Sequence, residues 1–296
     1  MSRARTILAL VSVAGLVSLA PACGSSGPPD QAGPDPVRPH AAALAHVATF
    51  ALALGVDPLD RAALDRLGRY DLVVVDGATS AARVASLQRR GALVLGYLSV
   101  GTVEPYRPWY AEAKRQGWLL ERYDDWDEWY ADTSAPGLRS LLVGQARTVL
   151  AAGFDGLFLD NTDMVAEHPH QRAGMATLVA SLDRLVGRRL LFAQNGDSTV
   201  GTIAAHLDGW NREDVSSTYD FDHDRYAPVA NADSADAVAT LHRLRARGLL
   251  VTATDYTASA RSTAVTRARS RACRAGALPF ASDIDLRRIT AEPERC

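Results

Sequence analysis

The sequence predicts an α/β protein of the (β/α)8 TIM-barrel class. Three observations carry that expectation. Eight short apolar runs alternate with stretches of helical spacing over about 250 residues, the usual length of one closed barrel. Nearly every run ends in polar residues, as expected where a ring of strand ends forms one mouth. No Gly-x-Gly-x-x-Gly follows the first run, which tells against the rival open, doubly wound sheet.

Taken in order, Phe50 to Val56 is the first apolar run and Asp60 to Leu67 has helical spacing. Asp71 to Val75 is β-branched, which suits a strand, and closes on Asp76-Gly77. Ala81 to Arg90 is helical with Gly91 at its end, and Leu93 to Val100 is the third strand. Tyr106 to Gln116 reads as a helix, followed by a polar, aromatic segment to Thr133. The fourth unit is the most legible. Leu138, Leu141, Leu142, Ala146, Val149 and Leu150 recur at helical spacing, Pro136 stands near the start, and Gly153 sits where a left-handed cap is expected. Gly156 to Leu159 is then too short for a helix and reads as a buried parallel strand, after which Asp160, Asn161 and Asp163 emerge. Gln171 to Val186 is a long amphipathic helix. Leu190 to Ala193 is a fifth strand ending in Gln194-Asn195-Gly196-Asp197, and Val200 to His206 a short helix. Leu207 to Trp210 is a sixth strand, expected to end in Asn211-Arg212-Glu213-Asp214. Ala235 to Arg247 is a helix, Leu249 to Thr254 a seventh strand ending in Asp255-Tyr256, Thr263 to Ala275 a helix and Leu278 to Ala281 an eighth strand.

The first residues are not read as part of the barrel. Arg3 and Arg5 precede an apolar stretch from Ile7 to Leu19, too short to span a bilayer comfortably, which ends in Ala20-Pro21-Ala22. Residues 1–22 are therefore expected to be an export signal, 23–39 a flexible Pro/Gly/Ser-rich linker, and 40–296 the barrel domain. Cys23 directly after the signal resembles a bacterial lipoprotein, with a lipid anchor on Cys23 as the protein's one membrane contact. Ala22 suits an ordinary signal peptidase equally. The expected location is outside the membrane, secreted or held at the cell surface. If Cys23 is acylated, Cys273 and Cys296 remain as an even pair able to form a disulfide in an oxidising compartment.

At 296 residues and 47% hydrophobic, the chain suffices for one large core or two modest ones. A net charge of -2 leaves no basic footprint for nucleic acid. No His pair or His/Cys cluster at ligand spacing supports a zinc site, no Gly-x-Ser-x-Gly elbow supports acyl transfer, and no phosphate loop is present. No cofactor is called for. Collecting the strand ends of a barrel gives one acidic mouth: Asp76; Tyr97, Ser99 and Glu104; Asp160, Asn161 and Asp163; Gln194, Asn195 and Asp197; Glu213 and Asp214; Asp255 and Tyr256. Two carboxylates across a cleft suit cleavage of a glycosidic bond, one protonated to release the leaving oxygen and one ionised to attack the sugar carbon or activate water. Trp210 is the expected aromatic at the mouth. Trp109, Tyr110, Trp118, Trp126, Trp129 and Tyr130 read mostly as core or loop packing. The run from Asp220 to Asp224 reads as a solvated loop. Arg212 beside Glu213 is expected to lower its pKa.

Several segments resemble glycoside hydrolase family 114, the endo-α-1,4-polygalactosaminidase family. They are Leu95-Gly96-Tyr97-Leu98-Ser99-Val100-Gly101 with Glu104, Tyr106 and Arg107; Gly153-Phe154-Asp155-Gly156-Leu157-Phe158-Leu159-Asp160-Asn161 with Asp163; Gln194-Asn195-Gly196; Asp208-Gly209-Trp210-Asn211-Arg212-Glu213; and Val251 to Tyr256. The similarity covers roughly Phe50 to Asp283, and Thr102 stands where many members carry an acidic residue. The resemblance implies cleavage of an α-1,4-linked galactosamine-containing polysaccharide, with Asp160 as nucleophile and Glu213 as general acid/base. Asp76, Tyr97, Glu104, Asn161, Asp163, Asn195, Trp210, Asp255 and Tyr256 are the expected substrate-binding residues. Free galactosamine units carry an ammonium, which suits an acidic mouth. Two alternatives stand beside this reading: a non-catalytic barrel that binds polysaccharide at the cell surface, and a metal-dependent hydrolase using Asp76, Asp160 and Asp163.

Overall fold

The computed structural model describes residues 41–56, 60–123 and 126–296. The expected signal (1–22) and the whole of the expected linker (23–39), Cys23 included, lie outside the described residues. The barrel is present. Its strands are β1 (Phe50–Leu52), β2 (Leu72–Asp76), β3 (Leu93–Ser99), β4 (Gly156–Asp160), β5 (Leu190–Gln194), β6 (Gly209–Glu213), β7 (Leu250–Tyr256) and β8 (Leu278–Ser282). They lie side by side in chain order, each parallel to the next. Between β8 and β1 the ring is closed by side chains: Phe280 meets Phe50 edge-on at 6.1 Å and Tyr70 at 6.3 Å.

Among the described residues six helices of seven residues or more cover the outside: α1 (Arg61–Leu67), α2 (Ala81–Gln88), α3 (Pro136–Ala151), α4 (Arg172–Val186), α5 (Asn231–Ala246) and α6 (Thr263–Arg274); the helix expected over Tyr106 to Gln116 is present as the shorter Tyr110–Arg115. In α3 five of the six residues read as its apolar stripe, Leu138, Leu142, Ala146, Val149 and Leu150, are buried and Leu141 is half-buried, and Gly153 just beyond its end has φ +95°, a conformation glycine adopts without steric cost. After β5 the expected helix is replaced by two 3-10 turns, Val200–Thr202 and Ala204–His206.

Acids at the two ends of the strands have different employment. At the N-terminal end, Asp71 takes the Ala48 amide, Asp155 the Val94 amide and Asp208 the Leu191 amide, at 2.8–2.9 Å. Each stands just before one strand and bonds an amide at, or two residues ahead of, the start of the strand before it, satisfying backbone donors at that end of the barrel. The carboxyls at the other end are left for the mouth.

Two excursions grow from that mouth, and neither was legible as strand. After β3, Thr102–Val103, Leu119–Tyr123 and Glu128–Ala131 form a three-stranded antiparallel sheet. After β6, Ser217–Asp220 pairs with Arg225–Pro228 as a hairpin, so the acidic run expected as a solvated loop is its turn. At the far end of the chain Cys273 and Cys296 form the expected disulfide.

Candidate active site

The site begins with a repeated backbone device. β4 ends at Asp160, β5 at Gln194 and β6 at Glu213. The residue after each, Asn161, Asn195 and Asp214, is left-handed, with φ of 57°, 58° and 55°. Asn and Asp tolerate this region better than other side chains. Three adjacent strands thus break at the mouth in the same way, each presenting a polar residue just before the break. At Asn161 the arrangement needs a glycine opposite. A Cβ on Gly101 would lie 1.8 Å from the Asn161 carbonyl oxygen.

Two carboxyls occupy the centre, each with its own tyrosine and amide. Asp160 accepts from Tyr97 Oη at 2.7 Å, Gln194 Nε2 at 2.6 Å and the Asn161 amide at 2.7 Å. Glu213 accepts from Asn195 Nδ2 at 2.7 Å and from the Tyr256 hydroxyl. Adjacent residues, Gln194 and Asn195, therefore serve the two different acids. Gln194 is itself held by Asn211 Nδ2 at 3.1 Å, and Asn211 by Thr252 and Thr254 inside the barrel. Asn161 is fixed through its side chain, which donates to Ser99 and Thr102 at 3.0 and 2.9 Å.

The environments push the two acids apart. Burial, and then the charge of Asp160, raises Glu213 to about 8. Burial also lifts Asp160 above the ordinary aspartate range, but hydrogen bonds from Tyr97, Gln194 and the Asn161 amide pull it back. Three donors favour charge on Asp160, so the proton that the pair retains at neutral pH sits on Glu213. Of the two carboxyls, Asp160 has the more donors to its charged form and Glu213 the stronger hold on a proton.

The surrounding cavity measures about 710 Å³ and is lined by a ring of further acids: Asp76, Glu104, Glu128, Asp163, Asp214 and Asp285. Asp76 and Glu104 share the buried Arg107, at 2.9 and 2.7 Å. Asp163 is raised to about 6 by burial and then by the charge of Asp160. Asp214 is raised to about 6 by burial, and its Oδ1 is buried without a hydrogen-bond partner. The cleft is thus far more acidic than the chain as a whole.

Of the expected residues, Asp76, Tyr97, Glu104, Asp160, Asn161, Asp163, Asn195, Glu213 and Tyr256 line this cavity. Trp210 and Asp255 do not. The sixth strand runs to Glu213 and the seventh to Tyr256, beyond where the sequence placed their ends, and side chains alternate along them. Asn211 and Glu213 face into the barrel, so Trp210 faces out. It is 0% exposed in the core, with its indole N–H on the Asn195 carbonyl at 2.9 Å. Asp255 is 1% exposed and accepts the Ser216 and Ser217 amides at 2.5 and 2.7 Å, bracing the hairpin. The same alternation overturns the expectation for Arg212. Its guanidinium pairs with Asp197 at 2.6 Å, and the Glu213 carboxyl is raised, not lowered. The trio of Asp76, Asp160 and Asp163 is not assembled: among the described residues no three His, Cys, Asp or Glu are grouped to hold a metal ion.

Glu128 escaped the sequence reading. It enters from the first excursion, its carboxyl receives Thr102 Oγ1 at 2.5 Å, and burial raises it to about 8. An acid thus stands against Thr102. Phe221, Tyr219 and Trp126 also line the cavity without having been singled out for it. Trp126 and Phe221 lie just outside the short strands, in the connections between them, where no strand alternation marks them.

The model of glycoside-hydrolase family GH114 matches residues 29–290. An uncharacterised protein of Deinococcus radiodurans is 31% identical over 123 residues, covering 38% of this chain and 39% of that protein. The match therefore spans about two fifths of the curated relative's length. Among solved structures, the glycoside hydrolase domain of PelA from Pseudomonas aeruginosa superposes with a TM-score of 0.72 at 25% identity, over 84% of this chain and 100% of that one. Ega3 from Aspergillus fumigatus, solved in complex with galactosamine, superposes with a TM-score of 0.66 at 18% identity, over 84% of this chain and 95% of that one. That second likeness shows the fold alone.

Proposed function

The chain belongs to glycoside-hydrolase family GH114, and from that premise we propose that it cleaves an α-1,4-linked, galactosamine-containing polysaccharide, with Asp160 as nucleophile and Glu213 as general acid/base. The observation that carries the substrate reading is the crowd of carboxyls in one cavity. A neutral glycan gains little from so acidic a cleft, whereas a polymer of free amino sugars brings one ammonium per unit to it. The galactosamine bound to Ega3 is consistent with this chemistry.

In the proposed mechanism Glu213 gives its proton to the glycosidic oxygen as Asp160 attacks the anomeric carbon. A glycosyl-Asp160 ester forms and the shortened chain departs. Glu213, now ionised, takes a proton from water, which opens the ester with net retention. Tyr97, Gln194 and the Asn161 amide stabilise the Asp160 carboxylate before attack and after release. Asn195 and Tyr256 hold Glu213 in line while its charge alternates. Retention calls for the two carboxyls to work about 5–5.5 Å apart.

We further propose export of the protein by its first 22 residues and retention at the cell surface through a lipid on Cys23. Fractionation of cells producing Cys23→Ser checks this: anchoring predicts its release into the medium, and an unchanged distribution contradicts it.

The direct test of activity is release of oligosaccharides from a de-N-acetylated α-1,4-galactosamine polymer. Wild type is expected to cut it, and Asp160→Asn and Glu213→Gln to fall by about 100-fold or more. A folded wild type that binds the polymer without cutting it would establish the non-catalytic alternative instead. NMR of the first product reads the stereochemistry, and an inverted anomer would exclude the glycosyl-Asp160 intermediate.

A further inference from the structure

The described residues expose three large hydrophobic side chains, Tyr106, Trp126 and Phe221, at 73%, 42% and 43%. All three line the catalytic cavity. Scattered exposed hydrophobics need no explanation, but their concentration on one cleft does. Trp126 belongs to the excursion that follows β3, and Phe221 to the hairpin that follows β6. The two rings meet edge-to-face at 5.3 Å. Tyr219 continues the row, 5.1 Å from Phe221 and 5.0 Å from Tyr226. In a ring of eight strands β3 and β6 stand three positions apart, so the contact is a chord across the mouth, joining segments that share no strand pairing. The cavity beneath is walled by carboxyls, and these rings give it exposed apolar faces.

Resting on the reading that the cleft takes a polysaccharide, we propose that Trp126 and Phe221 form an aromatic bridge that is a sugar-stacking subsite, holding a pyranose unit of the polymer away from the bond being cut. The occupant follows from continuity with the cleft. A polymer seated on Asp160 and Glu213 must leave the mouth past this bridge. The C–H face of a pyranose is apolar and packs on an aromatic ring, while its hydroxyls and ammonium remain turned to the acids below. The bridge acts on chain length, not on chemistry. Substrates long enough to reach it bind more tightly, and short ones do not notice it.

The experiment compares Trp126→Ala and Phe221→Ala with wild type on de-N-acetylated galactosamine polymer and on the shortest oligosaccharide that wild type cleaves. Expected on the polymer is a rise in KM of about tenfold with kcat unchanged, restored by Trp126→Phe and Phe221→Tyr. Expected on the short substrate is wild-type behaviour, which also reports an intact barrel. No change on the polymer, or an equal loss on both substrates, overturns the subsite. If wild type cleaves no galactosamine polymer, the functional reading fails separately, and retardation of the proteins in gels containing neutral and cationic polysaccharides decides the subsite. Retardation of wild type that both alanine variants lose sustains it. Equal retardation, or none, overturns it.

Discussion

Asn195 concentrates the argument at the scale of single residues. Its backbone is left-handed, its amide N–H bonds the Asn211 carbonyl, and its side chain both donates to Glu213 and accepts the Glu213 amide. Asn195→Gly keeps the backbone conformation and removes the donor. A donor to the charged form lowers a carboxyl's pKa, so its loss raises that of Glu213 further. The expected outcome is an alkaline limb of the kcat/KM profile displaced upward, with kcat lower by about tenfold; an unmoved limb would show that Asn195 does not tune the acid. Asp160, Asn161, Asn195 and Glu213 were legible because polar residues closing apolar runs stand out in sequence. Trp210, Asp255 and Arg212 were misjudged for one shared reason. Where a strand ends fixes which parity of residues faces inward, and polar strand tips hide that end.

Elements show a similar division. The barrel strands and helices were readable because their apolar spacing is dictated by burial on both sides of the sheet. The excursions after β3 and β6 bury little and alternate weakly, so Glu128 and Phe221 passed for loop residues. What fastens the first excursion to the barrel is Gly101 and its neighbours: Thr102 bonds Glu128, Ser99 and Asn161, while Gly101 passes against the Asn161 carbonyl. Gly101→Ala must push that carbonyl aside. It is expected to destabilise the protein by more than about 1 kcal/mol, or roughly 2–4 °C in Tm, and to reduce kcat, because Asn161 supplies an amide to Asp160. A thermal melt together with steady-state rates checks both; an unaltered Tm would mean the contact yields easily.

Across the whole molecule the cluster of buried acids ties stability to pH. Glu128 and Glu213 are raised to about 8, Glu294 to about 7, and Asp163, Asp214 and Asp255 to about 6, in each case first by burial. These values lie above those of the unfolded chain, so the folded state binds more protons than the unfolded one between them. Stability from these groups is complete below about pH 4 and is lost as pH rises through 6 to 8. Calorimetry is expected to show Tm falling from pH 5 to pH 8.5, with a shallower fall in Glu128→Gln; a Tm that climbs over that range would contradict the assignment of buried, uncharged acids. The disulfide opposes unfolding at any of these pH values. Closing its loop of 23 residues is expected to contribute about 3 kcal/mol, read as the loss of stability in Cys273→Ser. The central claim is that the cleft holds one ionised carboxylate and one acid, and the acid is Glu213. The pH dependence of kcat/KM on the galactosamine polymer, measured for wild type and Glu213→Gln, tests it most directly. Wild type is expected to show an alkaline limb near pH 8 that is absent from the residual activity of the variant. A limb that persists in Glu213→Gln would place the catalytic proton on another group.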